Sequence, residues 1–355
     1  MLRLPTVLTV LLCAPSAAAT SPPVVEFAVS QQHERPERGL QLIRVPQRTV
    51  ILGRDGWLHD TIDGVQPRVL GETEERFRVT SRAEMRSRLS EEYGRDFEVV
   101  STTHYLVVQP RGRGDRWPRL FESLHRHFVH YMQIRGATVR QGRFPLVAVV
   151  LPDQAAMQAE FARLGIQVSR VAGVYHLPSN RVILHDQGHA DYVAETVRHE
   201  TAHQTAYNTG IHSRVNETPR WIVEGIGTLF EPEGMQSQAA GRAGRNRLSA
   251  SHLERFRARY RDSESLATDL RQLIVDDSLF QDSRRIDDAY CLSWAMMFYL
   301  AERRPEAFAR LLKHTAGRPP FRVYTPAQRL ADFRQYVAAD LGRFARNLDR
   351  FLDSQ

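Results

Sequence analysis

The most informative stretch of the chain runs from His199 to His203 and reads H-E-x-x-H. On a helix, residues four apart lie on the same face, so both imidazoles can reach one metal ion. Glu200 then lies on the adjoining edge, beside a water molecule on that ion. Two nitrogen ligands with a carboxylate next to them are what a zinc hydrolase needs.

A second helix is expected to supply Glu224 to the same centre. Residues 191–207 predict the first helix, with Asp191 as its N-cap. Thr218 and Pro219 have the residue types favoured at the N-cap and at the first position of a new helix. Glu224 then lies on the second turn of that helix. Two antiparallel helices joined by a short loop can bring Glu224 back to the two histidines.

At these residues the chain resembles the gluzincin metallopeptidases, in which H-E-x-x-H is followed by a helix that carries a glutamate ligand. Residues 219–227 also resemble the P-x-W-x-x-E-G-x-A helix of secreted bacterial peptidase-like proteins in that clan. The resemblance is specific over residues 170–300. It implies Glu200 as the general base. It also implies one Zn²⁺ ion, bound by three ligands: His199, His203 and Glu224.

Four further side chains are candidates for contacts with the substrate or the transition state. In proteins similar to this one, a tyrosine at the start of an apolar helix points at the cleft, and Tyr290 has that place. Its phenol could donate a hydrogen bond to the developing oxyanion. His212, in the loop between the two helices, is a second candidate for this role. His185 and His189 precede the helix that carries His199 and His203, and they are candidates for substrate contacts.

One position departs from the gluzincin pattern. Many gluzincins have a carboxylate four residues after the glutamate ligand, where it orients a histidine ligand, but this chain has Thr228 there. Such outer partners tune metal affinity, so another group must hold the imidazoles. Glu195, Glu217 and Glu231 are candidates, and the sequence does not choose among them. Glu231 is also the second choice for the third ligand.

The order of the elements predicts an α+β fold, because strands come first and helices follow. Residues 1–19 are expected to be a signal peptide, and residues 20–96 a small mixed β/α region. Residues 97–355 are expected to form a zincin-like catalytic domain. Within it, residues 97–190 form the sheet half and residues 191–355 the helical half. In the gluzincins these halves are the upper and lower walls of a cleft.

Two segments near the metal helix predict further parts of that cleft. Residues 173–184 predict a strand, a turn and a strand. In such peptidases this edge strand pairs with an extended substrate, and the alternative is an ordinary surface hairpin. The polar stretch 234–248 predicts a mobile loop near the cleft. Beyond it, helices are predicted at these ranges: 249–274, 288–303, 305–315 and 326–352.

The N-terminal residues have the features of a secretory signal peptide: a positive start, a short apolar run and small residues before Thr20. The expected location is the periplasm or the extracellular space. No other apolar stretch is long enough to cross a membrane. Cys13 and Cys291 are the two cysteines, so the mature chain keeps one and forms no intramolecular disulfide.

The charge pattern argues against a nucleic-acid partner. The net charge is +7, but the basic residues are almost all scattered arginines, with no nucleic-acid motif or interleaved aromatic platform. We therefore expect a peptide or protein substrate. The sequence leaves the oligomeric state open.

These features predict a secreted zinc metallopeptidase, with two alternatives. The first is a non-catalytic, peptidase-like binding module, which the threonine at position 228 supports. Glu200 argues against it, since a purely structural zinc site needs no base. The second is a zinc amidase that acts on cell-wall peptides, which shares the chemistry and differs in the substrate.

Overall fold

A computed structural model describes most of the 355-residue chain. The α+β prediction is confirmed: the described residues contain eleven α-helices and two five-stranded sheets. They divide into two compact units, the first up to Arg54 and from Leu58 to Arg78, the second containing residues 55–57 and 79–355. The described ranges are 22–29, 36–46, 48–61, 67–166, 171–187, 190–236 and 247–355. The predicted signal peptide lies outside them.

The first unit contains an antiparallel sheet with the strand order β4-β3-β2-β1-β5. Val25 and Phe27 of β1 and Ile51 of β3 form its buried centre. The strands are β1 (Val24–Val29), β2 (Glu37–Val45), β3 (Arg48–Gly53), β4 (Leu58–Asp60) and β5 (Pro67–Thr73).

The second unit begins with the sheet half, in which the strand order is β6-β7-β8-β10-β9. The three central strands β7, β8 and β10 are parallel, and the edge strands β6 and β9 are antiparallel to their neighbours. Every residue of β8 is buried, as expected for a strand covered on both faces. The elements are α1 (Arg82–Tyr93), β6 (Phe97–Ser101), β7 (Tyr105–Pro110), α2 (Arg116–Ile134), β8 (Leu146–Leu151), α3 (Gln154–Leu164), β9 (Gly173–His176) and β10 (Arg181–His185).

Helix α1 groups with the second unit, whereas the sequence analysis assigned it to the N-terminal region that ends at residue 96. Its buried side chains explain the difference. Met85 and Leu89 belong to a buried cluster that also contains Val99 of β6 and Leu106 of β7. The helix therefore packs on the sheet of the second unit.

The remaining elements are helical and surround α8, which is buried along most of its length. None of the helices that the structure describes is long and apolar enough to cross a membrane. The helices are α4 (Ala190–Thr209), α5 (Arg220–Leu229), α6 (Ala250–Arg259), α7 (Ser263–Val275), α8 (Ile286–Arg303), α9 (Pro305–Ala316), α10 (Pro326–Tyr336) and α11 (Leu341–Asp353).

Two of the predicted helices are each divided in two. Asp262 interrupts the range 249–274, because its side chain accepts the backbone N–H groups of Glu264 and Ser265 and starts α7 there. Asp340 likewise caps α11 and ends the helical continuity of the range 326–352. Aspartate at an N-cap satisfies backbone donors that a continuous helix would bond internally.

Helix α5 approaches α8 closely at Gly225. A Cβ atom at this position would lie 2.6 Å from Cγ of Met297 and 2.7 Å from the carbonyl oxygen of Ser293. A backbone oxygen cannot rotate away, so any larger residue would force the two helices apart.

We expect Gly225→Ala to lower the free energy of unfolding by about 1–3 kcal/mol, because the added methyl overpacks the α5–α8 contact. Gly342→Ala in α11 is the matched control, since its Cβ would meet atoms no nearer than 3.4 Å. Alanine there should leave stability unchanged or raise it by up to about 1 kcal/mol. Urea unfolding midpoints measure both effects, and a Gly225→Ala protein as stable as wild type would contradict this packing.

Candidate metal centre

Helices α4 and α5 bring together the three side chains that the sequence predicted as ligands. One ligand atom from each of His199, His203 and Glu224 lies within 4.8 Å of the other two. Oε2 of Glu224 is 3.4 Å from Nε2 of His199 and 3.6 Å from Nε2 of His203. The two Nε2 atoms are 2.8 Å apart.

These separations fit a tetrahedral zinc site. Zinc–ligand distances of about 2.0–2.2 Å place neighbouring ligand atoms about 3.3–3.5 Å apart. The two distances to Glu224 agree with this spacing, and the two imidazoles would need to part by about half an ångström. Two imidazoles and a carboxylate are also the donor set of many catalytic zinc sites.

A glycine in α5 leaves room for both imidazoles. A Cβ atom at Gly227 would lie 2.6 Å from Nε2 of His199 and 2.9 Å from Cε1 of His203. Only a residue without a side chain allows the backbone of α5 to approach the imidazoles this closely.

The prediction that Thr218 is the N-cap of α5 is wrong. Pro219 occupies the N-cap position, and α5 begins at Arg220. Asp277, in the turn after α7, accepts the backbone N–H of Arg220 at 3.1 Å. A carboxylate from a distant segment therefore supplies the favourable negative charge at the start of the helix.

Glu231 is the candidate outer partner that contacts a histidine ligand. Its Oε1 lies 2.8 Å from Nδ1 of His199, and its Oε2 lies 3.2 Å from Nε2 of His252. A bond from Nδ1–H to this carboxylate leaves the Nε2 lone pair of His199 for a metal. Both oxygens of Glu231 face these imidazoles, which argues against its alternative role as the third ligand.

The other two candidates have different surroundings. Glu217 accepts the guanidinium of Arg329 at 2.7 Å and the backbone N–H of Tyr324 at 2.8 Å. Glu195 lines the cavity described below. Neither has a hydrogen bond to a histidine ligand among the described residues.

The charges around His199 favour a bound cation. Burial opposes protonation of its imidazole, but Glu224 and Glu231 outweigh burial and raise its pKa well above the usual value. Burial alone would raise the pKa of Glu231, because it disfavours the ionised carboxylate. Hydrogen bonds from His199 and His252 outweigh burial and lower this pKa to about 2. Two ionised carboxylates therefore flank one imidazole.

A cavity of about 510 Å³ borders the centre at His199, and Glu200 also lines it. The backbone N–H of Tyr175, in edge strand β9, donates to Oε2 of Glu200 at 2.7 Å. The predicted strand–turn–strand is confirmed as β9 and β10, and β9 is the outer strand. The general base candidate is thus tied to the edge strand that borders the cavity.

Tyr290 lines the same cavity, and its ring centroid lies 6.5 Å from that of His199. Burial raises the pKa of its phenol, and the charge of Glu224 raises it further. The hydroxyl therefore keeps its proton near neutral pH and can act as a hydrogen-bond donor.

His212 lies apart from the residues that line the cavity. The residue is 1% exposed, and the centroid of its ring lies 5.3 Å from the ring centroid of Tyr207. Burial, and then the charge of His203, lower its pKa to about 3, so the imidazole is neutral near pH 7.

His185 is buried at the end of β10. His189 and the core of the predicted loop, residues 237–246, lie outside the described residues.

Two residues at the site, His252 and Arg220, were not predicted from the sequence. His252 lies on α6, and no local spacing connects it with Glu231. Arg220 precedes Glu224 by four residues, and its Nε lies 3.3 Å from Oε1 of Glu224. Helical i,i+4 spacing was the signal that could have found this pair.

A protein family described as "Protein of unknown function (DUF1570)" matches residues 193–322. The match is less than half of the chain, and it contains all three candidate ligands, Glu200 and Tyr290. No curated protein matches the chain. These similarities assign no activity.

We expect Glu231→Gln to weaken zinc binding about 10–100-fold, because the amide removes the charge that orients and polarises His199. Glu195→Gln is the matched control: it makes the same acid-to-amide change in the same cavity, at a side chain with no hydrogen bond to a ligand among the described residues. Competition with a chromogenic chelator measures both zinc dissociation constants. Equal dissociation constants for the two variants would show that Glu231 does not support the site.

Proposed function

We propose that this protein is an exported zinc metallopeptidase of the gluzincin type, with Glu200 as the general base. One observation carries the proposal: the ligand atoms of His199, His203 and Glu224 converge, and His199 and Glu200 both line one cavity. A structural zinc site is closed by four protein ligands, whereas a catalytic one keeps an open position. Three ligands beside a cavity of about 510 Å³ match the catalytic arrangement.

Zinc at this centre would polarise the scissile carbonyl and lower the pKa of a water molecule towards neutrality. Glu200 would accept the proton of the attacking water and pass it to the leaving amine. The N–H of Tyr175 occupies Oε2 of Glu200, while Oε1 has no hydrogen bond to the described residues. Oε1 is therefore the atom that we assign to proton transfer.

Tyr290 is the better of the two candidates for stabilising the oxyanion. Its protonated phenol belongs to the cavity wall, so it can donate a hydrogen bond where negative charge develops. His212 is buried outside that wall and is neutral. We therefore assign this role to Tyr290.

The edge strand supports a peptide as the substrate. An extended peptide can add to a free strand edge through main-chain hydrogen bonds, which gives affinity without strong sequence selection. Strand β9 borders the cavity through Gly173. Peptide bonds of proteins and of cell-wall peptides both fit this interaction, and the zinc amidase alternative concerns the second class.

The non-catalytic alternative loses its main support. It rested on Thr228, which replaces the carboxylate that orients a histidine ligand in many gluzincins. Glu231 supplies a carboxylate to His199 from another position.

The proposal that the protein is exported rests on the predicted signal peptide.

We expect purified residues 20–355 to bind about one zinc ion per chain, and His203→Ala and Glu224→Ala to lose it, since each removes one of three ligands. Atomic absorption after dialysis against zinc, and then against metal-free buffer, measures the content. A wild-type protein that holds no zinc after remetallation would refute the proposed metal site.

We expect Glu200→Gln to keep its zinc and to lose about 10²–10⁴-fold in kcat, because an amide cannot accept the water proton. Hydrolysis of a quenched fluorescent peptide library measures proteolysis, and release of peptides from purified peptidoglycan measures amidase activity. Undiminished zinc-dependent turnover in either assay would exclude Glu200 as the base.

A further inference from the structure

The guanidinium of Arg220 lies between two groups of the proposed active site. Its Nε is 3.3 Å from Oε1 of Glu224, and its positive charge acts on Tyr290, where it opposes the rise in the pKa of the phenol. Oε2 of Glu224 faces the ligand nitrogens of the two histidines instead. The two oxygens of this carboxylate therefore have different partners, and Arg220 engages the one that faces away from the imidazoles.

An aromatic side chain and a distant carboxylate hold Arg220 in this place. Its guanidinium carbon lies 4.7 Å from the centroid of the Phe280 ring, and its backbone N–H donates to Asp277. Phe280 also packs edge-on against Tyr290, with ring centroids 5.5 Å apart and an interplanar angle of 86°. The planar guanidinium can stack and donate hydrogen bonds at once, which an ammonium cannot do in the same geometry.

We propose that Arg220 is a positioning residue of the metal centre, which orients Glu224 through Oε1 and, packed on Phe280 as Tyr290 is, places a positive charge near that tyrosine. This inference rests on the proposed function. A carboxylate can present one oxygen or both to a metal. Because a guanidinium engages Oε1, Glu224 would offer Oε2 alone to a metal, which would leave a coordination position for water.

The charge of Arg220 adds a second effect. A cation beside the Tyr290 phenol contributes positive potential where the oxyanion would develop, and fixed charges there stabilise the transition state more than the ground state. Loss of Arg220 should therefore lower kcat more than it changes KM. Its side chain is 41% exposed, so water screens the contact. Residues that orient a metal ligand change metal affinity or activity about 10–100-fold. For Arg220 we expect zinc affinity and kcat to fall by about 10-fold, near the lower end of that range.

The test compares Arg220→Gln, Arg220→Lys and the control Arg88→Gln in residues 20–355. Arg88 forms an i,i+4 pair with Glu84 on α1, and its side chain is 43% exposed, so the control breaks a similar pair away from the site. The measurements are the zinc dissociation constant, the visible absorption spectrum of the cobalt(II)-substituted protein, and kcat and KM on a peptide that wild type cleaves.

We expect Arg220→Gln to weaken zinc binding about 10-fold, to alter the cobalt spectrum, and to lower kcat about 10-fold with KM nearly unchanged. Arg220→Lys should be intermediate, because it keeps the charge and loses the planar donors. Arg88→Gln should match wild type in all three measurements. If circular dichroism shows that Arg220→Gln does not fold, the Arg220→Lys variant is used to test the proposal.

The outcomes separate this inference from the proposed function. A wild-type protein that binds zinc and cleaves peptides, with Arg220 variants equal to it in affinity, spectrum and kcat, would overturn the role of Arg220 alone. A wild-type protein that neither holds zinc nor cleaves either class of peptide would overturn both.

Discussion

The site depends on how closely helix α5 packs between α4 and α8. Gly225 lets α5 approach α8, and Gly227 lets the opposite side of the same helix approach the imidazoles of α4. Glu224 lies directly before these glycines, so its carboxylate reaches the histidines only if both contacts are made. Packed interiors transmit small displacements, and a shift of about 1 Å in α5 would remove the shared ligand geometry.

The same packing concentrates negative charge around His199. Burial alone would raise the pKa of Glu224, yet hydrogen bonds from the two imidazoles hold it well below the usual value. Glu231 is ionised on the other side of the His199 ring. Buried carboxylates are unfavourable without compensating charge, so a metal ion bound by Glu224 and the two imidazoles would stabilise the folded chain. Metal occupancy and folding stability are therefore expected to be coupled at this centre.

Short-range patterns predicted the parts of the site that lie within one element or on neighbouring ones. His199 and His203 follow from helical spacing, and the β9–β10 hairpin follows from strand and turn signals. Glu231 could not be chosen over its rivals, because its partner His199 lies 32 residues away and only the tertiary fold joins them. The same holds for Asp277, which caps α5 across 57 residues and makes the local prediction of the helix start fail. The aspartates that divide the predicted helices were local signals, but helical periodicity continued past them.

One hydrogen bond connects edge strand β9, in the sheet half of the second unit, with Glu200, the proposed base in the helical half. Gly173 allows β9 to lie close to both β10 and α4, because a Cβ there would be 2.9 Å from Cβ of Leu184 in β10 and 3.4 Å from Cγ2 of Thr196 in α4. This approach brings the N–H of Tyr175 to Glu200. The strand that would align an extended peptide thus also fixes the carboxylate that would take the water proton. In the proposed enzyme, the same backbone would set both the register of the substrate and the position of the base, so a shift of one would move the other.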